Sequence, residues 1–123
     1  MSKNQGKRNR QRGAEFELEA VKALHELGFR TARKTGSIQA NGDGQPDIYG
    51  IPGLWISCKR WKKTMRWPLW WRDADERCPK DQAPMILHRK DKGEIMLSLR
   101  LADLPRVMEG LQDSLDISSR IHP

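Results

Sequence analysis

Two carboxylates and a lysine are spaced so that they could meet at one site. Asp47 follows Pro46 at the start of a predicted strand, and Lys59 lies on the next strand, beyond a tight turn at Pro52-Gly53. Glu17 approaches from a predicted helix. Carboxylates hold Mg²⁺ or Mn²⁺ through hard oxygen atoms, and such an ion polarises a phosphate and activates water. A lysine stabilises charge that develops on the phosphate. This set of residues is typical of metal-assisted phosphodiester hydrolysis.

The helix that carries Glu17 is predicted by apolar periodicity over residues 13–27. Gly28 follows it as a C-terminal stop. Glu17 falls inside the apolar stripe, where a carboxylate is unfavourable unless it has a partner. It is therefore the first candidate for a function. The predicted stripe comprises Phe16, Ala20, Val21, Leu24 and Leu27, and the opposite side carries Glu15, Glu19, Lys22 and Glu26.

The remaining elements surround this helix in a regular order. Strands are predicted over residues 29–37, 46–51, 54–60, 83–89 and 94–100, and a short helix over residues 68–78. A final helix is predicted over residues 102–115, with Asp103 as its N-cap and with Val107, Met108 and Leu111 on its apolar face. The fold class is α+β, an α/β sandwich around a mixed sheet, in one domain over residues 13–116. Residues 1–12 form a basic, flexible arm and residues 117–123 a tail.

A known family carries these residues in the same order. Pro46-Asp47 followed by residues 56–60, Ile-Ser-Cys-Lys-Arg, resembles the Pro-Asp…(Asp/Glu)-X-Lys signature of the PD-(D/E)XK nucleases. Gly13, then Glu17 four residues later, and a helix closed by Gly28-Phe29 resemble the Holliday-junction-resolvase branch and related phage endonucleases. The likeness covers residues 12–60, and beyond them only the order of elements agrees. It implies a restriction-endonuclease-like αβββαβ core with a C-terminal helix.

The resemblance also implies roles for individual residues. Glu17, Asp47 and the backbone carbonyl of Cys58 would bind Mg²⁺ or Mn²⁺, and Lys59 would be the catalytic lysine. The implied substrate is DNA, in branched or otherwise structured form. Ser57 stands where the family has Glu or Asp, and a neutral hydroxyl is a poor ligand for Mg²⁺. Three explanations stay open: a natural module that binds DNA without cutting it, a deliberately inactivated endonuclease, or compensation by Asp43.

Basic residues also favour DNA as the partner. The net charge is +7, and five cations lie in the first twelve residues without an acid among them. Such an arm is suited to phosphate contacts, and a solubilising tail is the equally weighted alternative. Ser37 resembles the small polar residue that follows the first strand in the family. The predicted DNA contacts are Lys7, Arg8, Arg10, Arg12, Arg33, Lys34, Ser37, Arg60, Lys62 and Lys63.

Simpler interpretations compete for several residues. Glu17 could be a structural acid paired with Arg33 or Lys59. The five tryptophans are expected in the core or at the interface of a homodimer, ahead of stacking on bases. Cys58 and Cys78 fit neither a disulfide framework nor a zinc site, which favours the reducing cytoplasm of a prokaryotic or phage-infected cell. No apolar run reaches the roughly 20 residues that span a bilayer, so no membrane partner is expected.

Overall fold

Three helices and five strands follow one another in the predicted order. The structure, a computed structural model, describes residues 3–36 and 45–121, with side chains from residue 13 onward. A 3-10 turn, Leu101–Asp103, precedes the last helix. The α+β class and the C-terminal helix are confirmed. The elements are α1 (Lys3–Glu26), β1 (Arg33–Lys34), β2 (Ile48–Tyr49), β3 (Leu54–Trp61), α2 (Trp67–Arg77), β4 (Ala83–Lys90), β5 (Met96–Ser98) and α3 (Leu104–Ile121).

The strands form one mixed sheet in the order β1-β2-β3-β4-β5. The pair β3–β4 is parallel, and the other neighbouring pairs are antiparallel. Parallel neighbours cannot be joined by a tight turn, and α2 forms part of the crossover between them. The register places Ser57 beside Ile86 and Lys59 beside His88.

Alternation along β3 separates two layers of core. Leu54 and Ile56 belong to the larger cluster, which also contains Phe16 of α1 and Val107 of α3. On the opposite face, Trp55 packs in a second cluster with residues of α2. Ser57 and Lys59 share the parity of Trp55, so both lie on the α2 side of the sheet.

Helix α1 confirms most of the predicted apolar stripe. Phe16, Ala20 and Leu24 are buried, and Val21 packs partly against them. The prediction is wrong for Leu27, which is 71% exposed. The helix ends at Glu26, and Gly28 then adopts a φ of +106°, so the turn takes Leu27 out of the helical phase. The helix also begins at Lys3, ten residues before the predicted start.

Helix α3 differs more from its prediction. It continues to Ile121, so residues 117–121 of the predicted tail are helical. Met108, predicted on the apolar face, is 60% exposed. The helix instead buries small residues, and a Cβ on Gly110 would lie only 2.3 Å from the carbonyl oxygen of Pro52. This close approach of α3 to the hairpin explains why Met108 is exposed, because the face of α3 with small residues packs against the hairpin. The buried positions are Val107, Gly110, Ser114 and Ser118.

The first strand is much shorter than the predicted residues 29–37. The residues before the strand form hydrogen bonds with α3 instead of with the sheet. Thr31 Oγ1 lies 2.5 Å from Ser114 Oγ, and the Arg30 N–H donates to Ser118 Oγ at 2.9 Å. Only Arg33 and Lys34 pair with β2. Within the described residues, no helix is both long and apolar enough to cross a membrane.

Candidate functional site

Asp47 is held by its backbone on both sides. Its N–H donates to the Ile56 carbonyl at 2.9 Å, and its own carbonyl accepts from the Thr35 N–H at 3.0 Å. The side chain turns toward β3, where Oδ2 accepts from the Cys58 N–H at 2.7 Å and from Ser57 Oγ at 3.4 Å. The carboxylate is therefore placed against the Ser57-Cys58 peptide before any ligand arrives.

The end of β2 leaves room for this contact. Ile48 pairs with Ile56, and Pro46 and Asp47 precede this pair in the chain. The Pro46 carbonyl accepts from Thr35 Oγ1 at 2.5 Å. The Cys58 N–H donates to the Asp47 side chain. The Cys58 carbonyl points to the same edge as that N–H, because both groups of a strand residue face one neighbour.

Glu17 reaches the same place from α1. Partial burial, the nearby negative charge of Asp47 and a hydrogen bond between the two carboxyl groups raise the pKa of Glu17 to about 7, while the charge of Lys34 opposes the rise. Lys34 Nζ lies 3.9 Å from Glu17 Oε2. The cation that Glu17 contacts is therefore Lys34, which the sequence assigned to DNA, and the pairing with Arg33 or Lys59 is wrong. Glu17 and Asp47 do meet as predicted.

Ser57 completes the contact with Asp47 but adds no charge. It is 3% exposed, beneath α2 and beside the Asp47 carboxylate. Across residues 13–36 and 45–121, no three His, Cys, Asp or Glu side chains are grouped so that they could hold a metal ion. Asp43, the proposed compensating acid, lies outside the described residues. The described site has two carboxylates where the family resemblance implies three.

Lys59 contacts an acid that the sequence did not single out. Its Nζ lies 3.5 Å from Asp73 Oδ2 of α2, and Asp73 Oδ1 pairs with Arg77 Nε at 2.9 Å. Because the α2 crossover covers the face that Lys59 occupies, Asp73 arrives from a distant part of the sequence. Strand alternation indicated that Lys59 shares a face with Trp55 and Ser57. No sequence signal indicated its partner, since Asp73 resembles an ordinary solvated charge.

The Cys58 side chain points away from this lysine. It packs partly against the cluster that contains Phe16 and Leu24. Burial raises the pKa of the Cys58 thiol well above its ordinary value, and the charges of Asp47 and Glu17 raise it further. The thiol is therefore protonated at neutral pH, and only the backbone of Cys58 takes part in the site. Both Cys58 and Cys78 are free, as predicted.

The predicted DNA contacts divide into three groups. Arg33, Lys62 and Lys63 are exposed. Lys34 faces Glu17, and Arg60 forms an ion pair with Asp91 at 2.8 Å. The other predicted contacts lie outside the residues whose side chains are described, namely Lys7, Arg8, Arg10, Arg12 and Ser37. Lys62 and Lys63 follow Lys59 in the chain and continue its positive charge toward the start of α2.

The site adjoins an open cleft of about 670 Å³ at the β2–β3 hairpin. Thr35 and Pro46 line the cleft, and Thr35 Oγ1 donates to the Pro46 carbonyl at 2.5 Å. Both residues adjoin Asp47 through the chain or a hydrogen bond. The cleft therefore borders the candidate site, and Glu17 and Asp47 themselves are not among its lining residues.

The chain matches no known protein-family model, no curated protein and no solved structure.

Proposed function

We propose that this chain is a DNA-binding protein with a metal-assisted phosphodiesterase site of the PD-(D/E)XK type, weakened by Ser57. The observation that carries the proposal is the Glu17–Asp47 carboxyl pair beside the Ser57-Cys58 peptide. The fold supports it in a second way. A helix, an antiparallel strand series, a crossover helix and a parallel return strand follow in the order of a restriction-endonuclease-like core.

The donor set fits a divalent cation. A carboxyl group whose ionisation is opposed by a neighbouring carboxylate is stabilised in its charged form by a positive charge placed between the two. The pKa of Glu17 is about 7 because the positive charge of Lys34 only partly offsets the effects of burial and of the Asp47 charge. The site therefore has too little positive charge of its own. Glu17, Asp47 and the Cys58 carbonyl would hold Mg²⁺ or Mn²⁺ through oxygen atoms. The ion supplies polarisation of the phosphate and a bound water of lowered pKa.

The protein groups have separable tasks in this proposal. Asp47 keeps its orientation through the Cys58 N–H, so its second oxygen is the one available to a ligand. Lys59 offers an ammonium group to a phosphate oxygen or to the attacking water, and Asp73 holds that group on the α2 side. Glu17 must release its proton before it can bind a cation, which favours activity above pH 7.

Ser57 favours a second candidate function, a module that binds DNA without cutting it. The site has one negative charge fewer than the family pattern, and Ser57 Oγ is directed at Asp47. With only two carboxylates, the affinity for Mg²⁺ falls because hard cations are held mainly by charged oxygen ligands. The basic arm and the exposed cations would then provide the function through phosphate contacts.

One set of variants separates these functions. The chain, Ser57→Glu, and Ser57→Glu combined with Asp47→Asn are incubated with supercoiled and branched DNA in Mg²⁺ or Mn²⁺. We expect Ser57→Glu to cut and the added Asp47→Asn to stop it. If the unchanged chain cuts DNA, another acid supplies the missing negative charge. Asp43→Ala then tests whether that acid is Asp43. If no variant cuts while all bind DNA with a steep salt dependence, the chain is a binding module.

Lys59 provides the control within the site. Lys59→Ala in the Ser57→Glu background should abolish cutting, whereas Lys92→Ala, in the exposed turn between β4 and β5, should leave it unchanged. Continued cutting by the Lys59 variant would remove this lysine from the proposed site.

A further inference from the structure

One of the five tryptophans is not accounted for by the core. Trp55 and Trp70 are buried at 2% and 8% exposure, and Trp61 and Trp71 pack partly against the same cluster. These four confirm the expectation of core packing. Trp67, the first residue of α2, is 38% exposed. A large aromatic side chain that is more than a third exposed at a helix start is a candidate for contact with a partner.

The exposed ring is nevertheless held in place. Its centroid lies 5.6 Å from the ring of His88 and 6.1 Å from those of Trp70 and Trp71. His88 is itself fixed, because Nε2 lies 2.8 Å from Ser98 Oγ. A ring that is braced on its inner side loses little conformational freedom when a ligand contacts its outer side. Trp67 is therefore prepared for binding.

The chain that leads to this ring is basic, and it has no acidic partner among the residues that the structure describes. Lys62, Lys63 and Arg66 lie in the loop between β3 and α2, and all three are exposed. In the described part of the chain, no carboxylate lies within ion-pair distance of them. By contrast, Arg60 and Arg77 nearby are both paired with aspartates. The loop thus presents free positive charge beside an exposed indole.

We propose that this loop and Trp67 form a binding site for unpaired DNA, in which phosphates contact the three cations and a base stacks on the indole. Cationic grooves with aromatic platforms bind single strands because every base offers a flat face to a ring. The loop starts three residues after Lys59, roughly 10 Å along an extended chain. A strand bound there would therefore reach the candidate site. The site deepens the proposed function and rests on it for the choice of DNA as the ligand.

Binding is tested in EDTA, so that cleavage has no part in the result. The probe is a fluorescent dT12 strand, and a hairpin duplex of equal length is the comparison. We expect Trp67→Leu to weaken binding of dT12 by about tenfold and Trp67→Phe by less than about threefold, because phenylalanine keeps an aromatic face. Duplex binding should change little in either variant. Thermal unfolding of each variant checks that the α2 packing is kept.

The charges are tested with a matched pair of triple variants. Replacement of Lys62, Lys63 and Arg66 by glutamine should reduce the slope of log Kd against log salt for dT12 by about 2. The control triple removes the same charge from exposed residues elsewhere, at Lys22, Lys80 and Arg120. It should leave that slope nearly unchanged.

Three results would overturn the inference: unchanged dT12 binding by Trp67→Leu, equal effects of the two triple variants, or a dimer in sedimentation that Trp67→Leu dissociates. The outcome is separable from that of the cleavage experiment. If Ser57→Glu cuts DNA while Trp67→Leu still binds dT12 as the parent chain does, only the Trp67 site is rejected. If Trp67→Leu loses dT12 binding while Ser57→Glu does not cut DNA, only the phosphodiesterase site is rejected.

Discussion

Replacing Glu17 by glutamine removes a titratable group from the site while keeping the size of the side chain. In the folded protein, burial and the neighbouring Asp47 raise the pKa of Glu17 from 4.5 to about 7. Between these two pH values, the unfolded chain releases the proton and the folded chain keeps it. The free energy of unfolding therefore decreases as pH rises through this window. Glutamine carries no charge at any pH, so the variant lacks this loss.

The size of the effect follows from the pKa. At about 1.4 kcal/mol per pKa unit, the rise corresponds to about 3 kcal/mol of stability lost by pH 8. The Glu17 side chain is 23% exposed, and solvent screening lowers the expected value to roughly 2 kcal/mol. We expect Glu17→Gln to match the parent chain near pH 4 and to exceed its stability by this amount at pH 8.

The measurement is urea unfolding, followed by tryptophan fluorescence in EDTA at pH 4.5, 6 and 8. Glu15→Gln is the matched control, because Glu15 lies exposed on the same helix. Titrating groups that do not interact with Glu17 contribute equally to the variant and the parent at each pH, so their contributions cancel. A stability difference that stays constant from pH 4.5 to 8, or a Glu17→Gln variant that is less stable at pH 8, would refute the assigned electrostatics.

Three further predictions concern the metal ligands, the lysine and the packing of α3. Calorimetry should show Mn²⁺ binding at least about tenfold tighter in Ser57→Glu than in the parent, because a third carboxylate joins the site. Asp73→Asn should lower the free energy of unfolding in urea by less than about 1 kcal/mol, because the ion pair that it removes is partly exposed. The same variant should increase the rate at which an amine reagent labels Lys59, because Lys59 loses its partner. Gly110→Ala should destabilise the fold by roughly 1–3 kcal/mol in urea, because its Cβ would collide with the Pro52 carbonyl.

Each of these predictions has a control and a contrary result. Equal Mn²⁺ affinity in the parent and Ser57→Glu would exclude position 57 from the metal site. The labelling rate of exposed Lys92 should be the same with and without Asp73→Asn, and an unchanged rate for Lys59 would contradict the ion pair. Glu109→Ala, at the exposed neighbour of Gly110, should be nearly neutral. A neutral Gly110→Ala would contradict the close packing of α3 on the hairpin.

The sequence alone determined the features that depend on local periodicity. The helical phase of α1 placed Phe16 and Leu24 in the core and Glu17 within the same stripe; in the structure the Glu17 side chain is 23% exposed. Alternation along β3 puts Ser57 and Lys59 on one face. The turn at Pro52-Gly53 folds the hairpin, which brings Asp47 beside that strand. These properties follow from backbone geometry over a few residues, and they identified Glu17, Asp47 and Lys59 as candidates for one site.

Only the tertiary structure decided the contacts between distant elements. The parallel pairing of β3 with β4 requires the crossover that places Asp73 next to Lys59. The tight contact of α3 with the hairpin turns Met108 outward. Which tryptophan remains exposed depends on how α2 covers the sheet, and Trp67 has no distinguishing sequence signal. Periodicity shows which face of an element is apolar, whereas the packing of elements decides which charged and aromatic groups meet, because those contacts join residues far apart in the chain.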